Sequence, residues 1–235
     1  MRPLRLAASA SHKERRLAEL LAQASAGATH LQDVVDDAQL LGSLELAGFR
    51  VSWEDVRASR RGGDAPLAVL RLRRAQRTLP HDAALGPAEL LALAHAVSGD
   101  DADFRRRDLV REQGPPAAPP EFVPSRLLTL GEWIDGPSGR ELAPAQAGAL
   151  ALARILEILP FEEGNGRVAR LAASHVMVRA GAREPILVGA DAPRLEAVLQ
   201  SAFRLETEPL AALLAEASER ALDVMIQTLQ SGREL

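Results

Sequence analysis

The chain of 235 residues contains no cysteine and no tyrosine, and aromatic residues make up only 3% of it. The lack of cysteine excludes disulfides, thiolate metal sites and a cysteine nucleophile. With so few rings and 47% apolar residues, the core must be built from Leu, Ala and Val. That composition favours close-packed helices over a sandwich of β-branched and aromatic strands. Lysine is nearly absent: of 28 basic residues only Lys13 is a lysine. Arginine is thus a compositional habit, and a single arginine carries little information. The net charge is −4, with no basic stripe or tail, so nothing points to a nucleic-acid partner. No 18-residue apolar span occurs, because the most apolar stretch, 143–159, is interrupted by Gln146, Arg154 and Glu157. These absences bound a soluble, cytoplasmic, largely α-helical protein without a membrane partner. The length suits one large domain or a domain with a smaller appendage.

Periodicity supplies the helices. Residues 1–10 are unpatterned and read as an extended arm. Leu17, Leu20 and Leu21 mark a charged helix over 11–25, and Leu31, Val34, Val35, Ala38 and Leu41 give 30–46 one buried face. Ser52-Trp53-Glu54-Asp55 is an N-cap followed by acids, opening a helix near Trp53. Further helices are expected over 65–79, 88–97 (Pro87 in its first turn, Gly99 at its end), 124–134, 144–159, 167–180, 191–205 and 209–230. Between 100 and 120 the pattern lapses into a Gly/Pro tract, read as a loop or small hairpin lying over something. Residues 184–188 read as one short strand or an extended link.

The most informative stretch is 159–170, Leu-Pro-Phe-Glu-Glu-Gly-Asn-Gly-Arg-Val-Ala-Arg. It is a short glycine loop between two helices, and physically it describes an anion site. Gly164 and Gly166 let successive backbone N–H groups form a concave nest, and the next helix points its positive end at the occupant. Arg167 and Arg170 lie one turn apart on one face and can both reach a polyphosphate. Glu163 is placed to hold a divalent metal that bridges phosphate oxygens.

This stretch resembles the signature of the Fic family, H-x-F-x-[D/E]-G-N-G-R-x-x-R. Phe161, Glu163, Gly164, Asn165, Gly166, Arg167 and Arg170 match, and Pro160 is the usual second residue. Leu159 stands where the family has its histidine. Phe104-Arg105 is similar to the family's G-x-F-R segment, with Ala102 in the glycine position, and the run ending Glu121-Phe122-Val123-Pro124 looks like its Pro-rich approach to the next helix. The resemblance covers about half the chain and implies an all-α, Fic-like helical bundle with a small hairpin or loop flap. Residues 1–85 would be an N-terminal helical region, 86–205 the Fic-like core, and 206–235 a C-terminal helix packed on it.

The resemblance also implies an activity, AMP transfer from ATP to a protein hydroxyl with Mg²⁺. Carried over by position, Glu163 is the metal ligand. Gly164, Asn165, Gly166 and Arg167 cradle the phosphates, and Arg170 reaches the γ-phosphate. Leu159, in the base position, cannot accept a proton, so conventional transfer is expected to be lost or slowed by about 10²–10⁴-fold. Many members carry an inhibitory helix, [S/T]-x-x-x-E-[G/N], whose glutamate pairs with the second arginine. Here 43–48 aligns with it; Ser43 and Gly48 fit, and Ala47 replaces the glutamate. Glu45 is two residues off, on another face.

Other residues are weaker candidates. His175 stands about two turns, roughly 12 Å, beyond the loop. His95 reads as a core-edge residue, and His12, His30 and His81 lack metal-site spacing. Glu162, Asp108 and Glu112 are surrogate bases that sequence does not place. Arg154 and Glu157 read as an edge pair, and Trp53 and Trp133 as helix-packing residues. Three readings remain: a nucleotide-binding Fic-fold protein with impaired transfer, a regulatory or protein-interaction module, and a transferase with another base or donor.

Overall fold

Helix boundaries follow the punctuation of the sequence. The computed structural model describes residues 2–23, 30–110 and 114–231. Its helices are α1 (Arg2–Gln23), α2 (Leu31–Glu45), α3 (Trp53–Arg60), α4 (Leu67–Gln76), α5 (Pro87–Ser98) and α6 (Val123–Asp135). Then follow α7 (Pro137–Arg140), α8 (Pro144–Ile158), α9 (Asn165–Arg179), α10 (Ala192–Ala202) and α11 (Glu208–Ser231). Ser52 caps α3 with the reciprocal box expected: its side chain accepts from Asp55 N–H, and the Asp55 carboxylate accepts from Ser52 N–H at 2.8 Å. Pro87 opens α5, and Gly99, at φ 135°, closes it.

Two expectations change, and a choice left open, strand or link at 184–188, closes. Residues 2–10 are not an extended arm but the first part of α1, which starts with proline in its first turn and continues through good helix formers. Residues 184–188 are an extended link rather than a strand; Ile186 N–H donates to Ala217 O at 3.0 Å. The helix after the glycine loop begins at Asn165, two residues early, because Gly164 takes the left-handed conformation (φ 78°) needed to turn into it. Glu112 lies outside the described residues.

The core is helix on helix throughout. No strand occurs among the described residues, and Phe104 and Phe161 form an isolated antiparallel bridge. α8 is the central element, packed against α9, α11, α6 and α10. Ala149, Ala151, Leu152 and Ile155 on it have no measurable exposure. Small residues let its neighbours come close: a Cβ on Gly148 would lie 2.5 Å from Met177 Cγ of α9. A second apolar cluster joins α1, α2 and α11 through Leu17, Val35, Ala221 and Leu222. The Arg154–Glu157 pair forms as spaced. Trp53 packs against both clusters, whereas Trp133 is 42% exposed beside a groove between α6 and α8. No helix among the described residues is long and apolar enough to cross a membrane.

Truncating the centre of α8 removes a side chain that has no room to be replaced. Ile155→Ala is expected to cost about 2–5 kcal/mol, read as a lower urea midpoint at unchanged m-value.

Candidate functional site

The glycine loop is fixed before any ligand arrives, by three sets of polar contacts. The first is the side chain of Asn165. Its Oδ1 accepts Phe161 N–H at 2.9 Å and its Nδ2 donates to Phe161 O at 2.7 Å, so one amide holds both backbone groups of Phe161. The Phe161 ring is 2% exposed and stacks on Phe104 at 5.6 Å between centroids.

The second set centres on Arg105, which is 2% exposed and forms no ion pair with a carboxylate among the described residues. Nε donates to Leu159 O at 2.6 Å, Nη2 to Ile158 O at 3.2 Å and to Ala118 O, and Nη1 to Arg107 O at 2.8 Å. Its backbone N–H reaches Pro160 O at 2.9 Å. A cation at the C-terminal end of α8 satisfies carbonyls that the helix leaves unpaired and complements its dipole. Leu159 ends the helix in the left-handed region (φ 51°, ψ 68°), which non-glycine residues rarely adopt.

The third set holds the two arginines. Arg167 donates from Nη1 to Val97 O at 3.3 Å, and its guanidinium lies 5.2 Å from the Phe49 ring centre. Burial lowers its pKa, with the Glu163 charge opposing and Arg71 reinforcing the shift. Arg170 donates from Nε to Ser43 Oγ at 3.0 Å and from Nη2 to Ser43 O at 2.7 Å. Burial, and then the charge of Arg167, push its pKa down to about 10. A Cβ on Gly166 would lie 3.2 Å from Arg170 Nη1, so that nitrogen faces the start of α9.

Between these anchors lies the cradle. The first helical bond of α9 runs from Val168 N–H to Gly164 O at 3.0 Å, leaving the N–H groups of Asn165, Gly166 and Arg167 ahead of it. A Cβ on Gly164 would stand 2.7 Å from Ser98 Oγ, so only glycine fits this turn. Glu163 is exposed beside Arg167. No three His, Asp or Glu residues among those described are grouped to hold a metal. A divalent ion therefore fits at Glu163 only where phosphate oxygens complete its shell, the usual arrangement for Mg²⁺.

Sequence reasoning placed the loop residues together and the structure does the same, but it missed their supports. Phe49 and Val97 come from distant segments with no local signal, whereas Ser43 stands in the 43–48 segment that the resemblance sets against the second arginine. The structure also sorts the other candidates. His175 Nε2 contacts Ala83 O at 2.7 Å and His95 Nε2 contacts Ala102 O at 2.8 Å. Glu162 is exposed and paired with Arg107 at 3.2 Å, and Asp108 is exposed.

Residues 85–177, which contain the whole loop, match the model of the Fic/DOC family. This part of the chain is similar to the Fic/DOC family. It is 27% identical over 135 residues to the protein adenylyltransferase Fic of Nematostella vectensis, a match that covers 57% of this chain and 31% of that relative. The solved Fic-1 of C. elegans superposes with a TM-score of 0.75 at 21% identity, over 96% of this chain and 73% of that one. IbpAFic2 in complex with adenylylated Cdc42 gives a TM-score of 0.56 at 16% identity, over 89% of this chain and 70% of that one. These superpositions establish the all-α Fic fold. The chain spans between 22 and 31% of the length of the first curated relatives it matches.

The Asn165 clamp is testable without any ligand. Asn165→Ala leaves the Phe161 N–H and C=O without their side-chain partner, at a cost of about 1–3 kcal/mol. Amide exchange at Phe161 is expected to speed up selectively, while α8 and α11 amides stay protected.

Proposed function

We propose that this chain binds a nucleoside triphosphate at the 163–170 loop and that AMP transfer to a protein hydroxyl is impaired in it because Leu159 occupies the base position. The observation carrying the reading is the contrast within one loop. On one side stand three helix-terminal N–H groups, the half-buried Arg167, and Arg170 with Nη1 facing α9. On the other stands Leu159, whose side chain accepts no proton.

Phosphoryl-type transfer asks a protein mainly for alignment and charge neutralisation. The N–H groups of Asn165, Gly166 and Arg167 point a helix N-terminus at an anion. Arg170 is held by neutral oxygens of Ser43, so its charge stays uncompensated until a phosphate meets it. Asn165 contributes by shaping the loop, since its amide is committed to Phe161. Glu163 would hold Mg²⁺, which when bound would supply neutralisation of the phosphate charge. The attacking hydroxyl must lose its proton as its oxygen bonds to the α-phosphorus and pyrophosphate leaves. Without a base, that step is slower by about 10²–10⁴-fold. The relatives' substrates, ATP and a protein such as Cdc42, come to this chain as part of the proposal. So does cytoplasmic residence.

The segment aligned with the inhibitory helix supports the same reading. Ser43 contacts Arg170, Ala47 is exposed past the end of α2, and Glu45 accepts Gly189 N–H at 2.9 Å instead of turning to the arginine. No carboxylate of α2 is paired with Arg170, so no charged brake opposes a γ-phosphate.

Calorimetry with ATP and MgCl₂ tests the binding half. Saturable heat is expected for wild type and its loss for Arg167→Ala; a folded sample silent at millimolar ATP overturns it. Radiolabelled ATP with a lysate tests the transfer half. Leu159→His is expected to label proteins well above wild type. Labelling by wild type at the level of Leu159→His assigns another base. No labelling by either, with no ATP heat, assigns a non-catalytic module.

A further inference from the structure

Arg167, the first arginine of the loop, has a support that its own helix does not supply. α2 ends in a glycine C-cap: Gly48 takes the left-handed conformation (φ 80°), and Phe49 N–H returns to Leu44 O at 3.0 Å. The residue set by this turn, Phe49, lies with its ring under the guanidinium of Arg167, whose Cζ stands 5.2 Å from the ring centre. The ring is 39% exposed, so burial in the core does not explain its position. The same helix end supplies Ser43, which holds Arg170 through its hydroxyl and its carbonyl. One short segment, 43–49, thus carries supports for both arginines.

This support differs in kind from a salt bridge. A ring face attracts a cation through its quadrupole and brings no negative charge to neutralise it. It has no lone pair either, so the guanidinium keeps its N–H donors, one of which goes to Val97 O at 3.3 Å. Arg167 needs such help. It is half-buried, and burial lowers its pKa; of the charges nearby, Glu163 favours the cation and Arg71 opposes it. A carboxylate in the place of the ring would stabilise the cation but compete with an incoming anion. A phenyl ring holds the group and leaves its charge for the ligand.

We propose that Phe49 is a positioning residue for triphosphate binding, its ring holding Arg167 in place at the start of α9 with its donors free. The inference rests on the nucleotide binding argued above and deepens it: affinity depends on the π-electron density of a residue outside the glycine loop. Because Phe49 acts through Arg167, its effect falls on the phosphate chain and not on the base.

Calorimetry of the full chain with ATP and with sodium tripolyphosphate, each with MgCl₂, tests it. Phe49→Leu, which keeps an apolar side chain, is expected to weaken both ligands about fivefold. Phe49→Trp is expected to keep wild-type affinity. Replacing Phe49 alone by 4-fluorophenylalanine and then by 3,4,5-trifluorophenylalanine changes the ring's charge distribution and hardly its shape. Affinity is expected to fall stepwise along that series, which a merely structural ring would not produce. Proton–nitrogen spectra of the ligand-free chain follow Arg167 directly, since its Nε–H signal is expected to move when Phe49→Leu removes the ring current. Unchanged affinity across the fluorinated series overturns the proposal, and so does a loss confined to ATP, which assigns the ring to the base. A wild type that binds neither phosphate compound overturns the nucleotide reading instead. The spectra then decide the positioning: an Arg167 signal that moves in Phe49→Leu supports it, and one that stays overturns it.

Discussion

The candidate site depends on one buried cation, Arg105. It gathers the carbonyls of Ile158 and Leu159 at the end of α8, of Ala118 in the proline-rich tract, and of Arg107 in the segment that crosses the loop. A buried guanidinium without a carboxylate is normally expensive, because its hydration is lost. Here the loss is offset by four carbonyl oxygens, two of them at the negative end of a helix. The arrangement fixes where α8 stops, how Leu159 turns and where Pro160 and Phe161 begin. The stacked pair of Phe104 and Phe161 and the Asn165 clamp then set the remaining backbone up to α9. Position along the loop is thus determined by Arg105 and Phe104 from outside it together with Asn165 from within.

Charge tells a complementary story. Arg105 makes four side-chain hydrogen bonds to neutral oxygens and is 2% exposed. Arg167 and Arg170 are only partly satisfied, and burial makes both easier to deprotonate than a free arginine. That direction means their charged forms are stabilised less by the protein than by water, a deficit an incoming anion would relieve. Three arginines within one site play two physical roles, and burial with partners separates them where residue type does not.

This explains what was legible in the sequence. Helix positions were, because Leu and Ala recur at helical spacing and because Ser52, Pro87 and Gly99 punctuate them. The loop was too, since glycines that must turn and arginines one turn apart are local features. The supports were not local. Ser43 is 127 residues from Arg170, and Val97 is 70 from Arg167. Only packing of α2 and α5 against α9 brings them in. The start of the chain misled for the opposite reason: residues 2–10 form helix without the apolar period that sequence reading relies on. Trp133 misled as well, since a large ring at helical spacing reads as buried and is 42% exposed.

Leu159 itself carries the last step. A left-handed leucine costs about 1–2 kcal/mol relative to a right-handed one, and glycine or asparagine is the usual choice where a helix ends this way. The side chain therefore does not select this conformation. Pro160 bars α8 from continuing, and Arg105 holds the Leu159 carbonyl. The Leu159 backbone conformation is thus set by its neighbours, Pro160 and Arg105, rather than by its own side chain. Under the proposed function, a leucine at such a position would remove proton transfer while leaving the geometry around it intact, so binding and transfer would be separable properties of one loop.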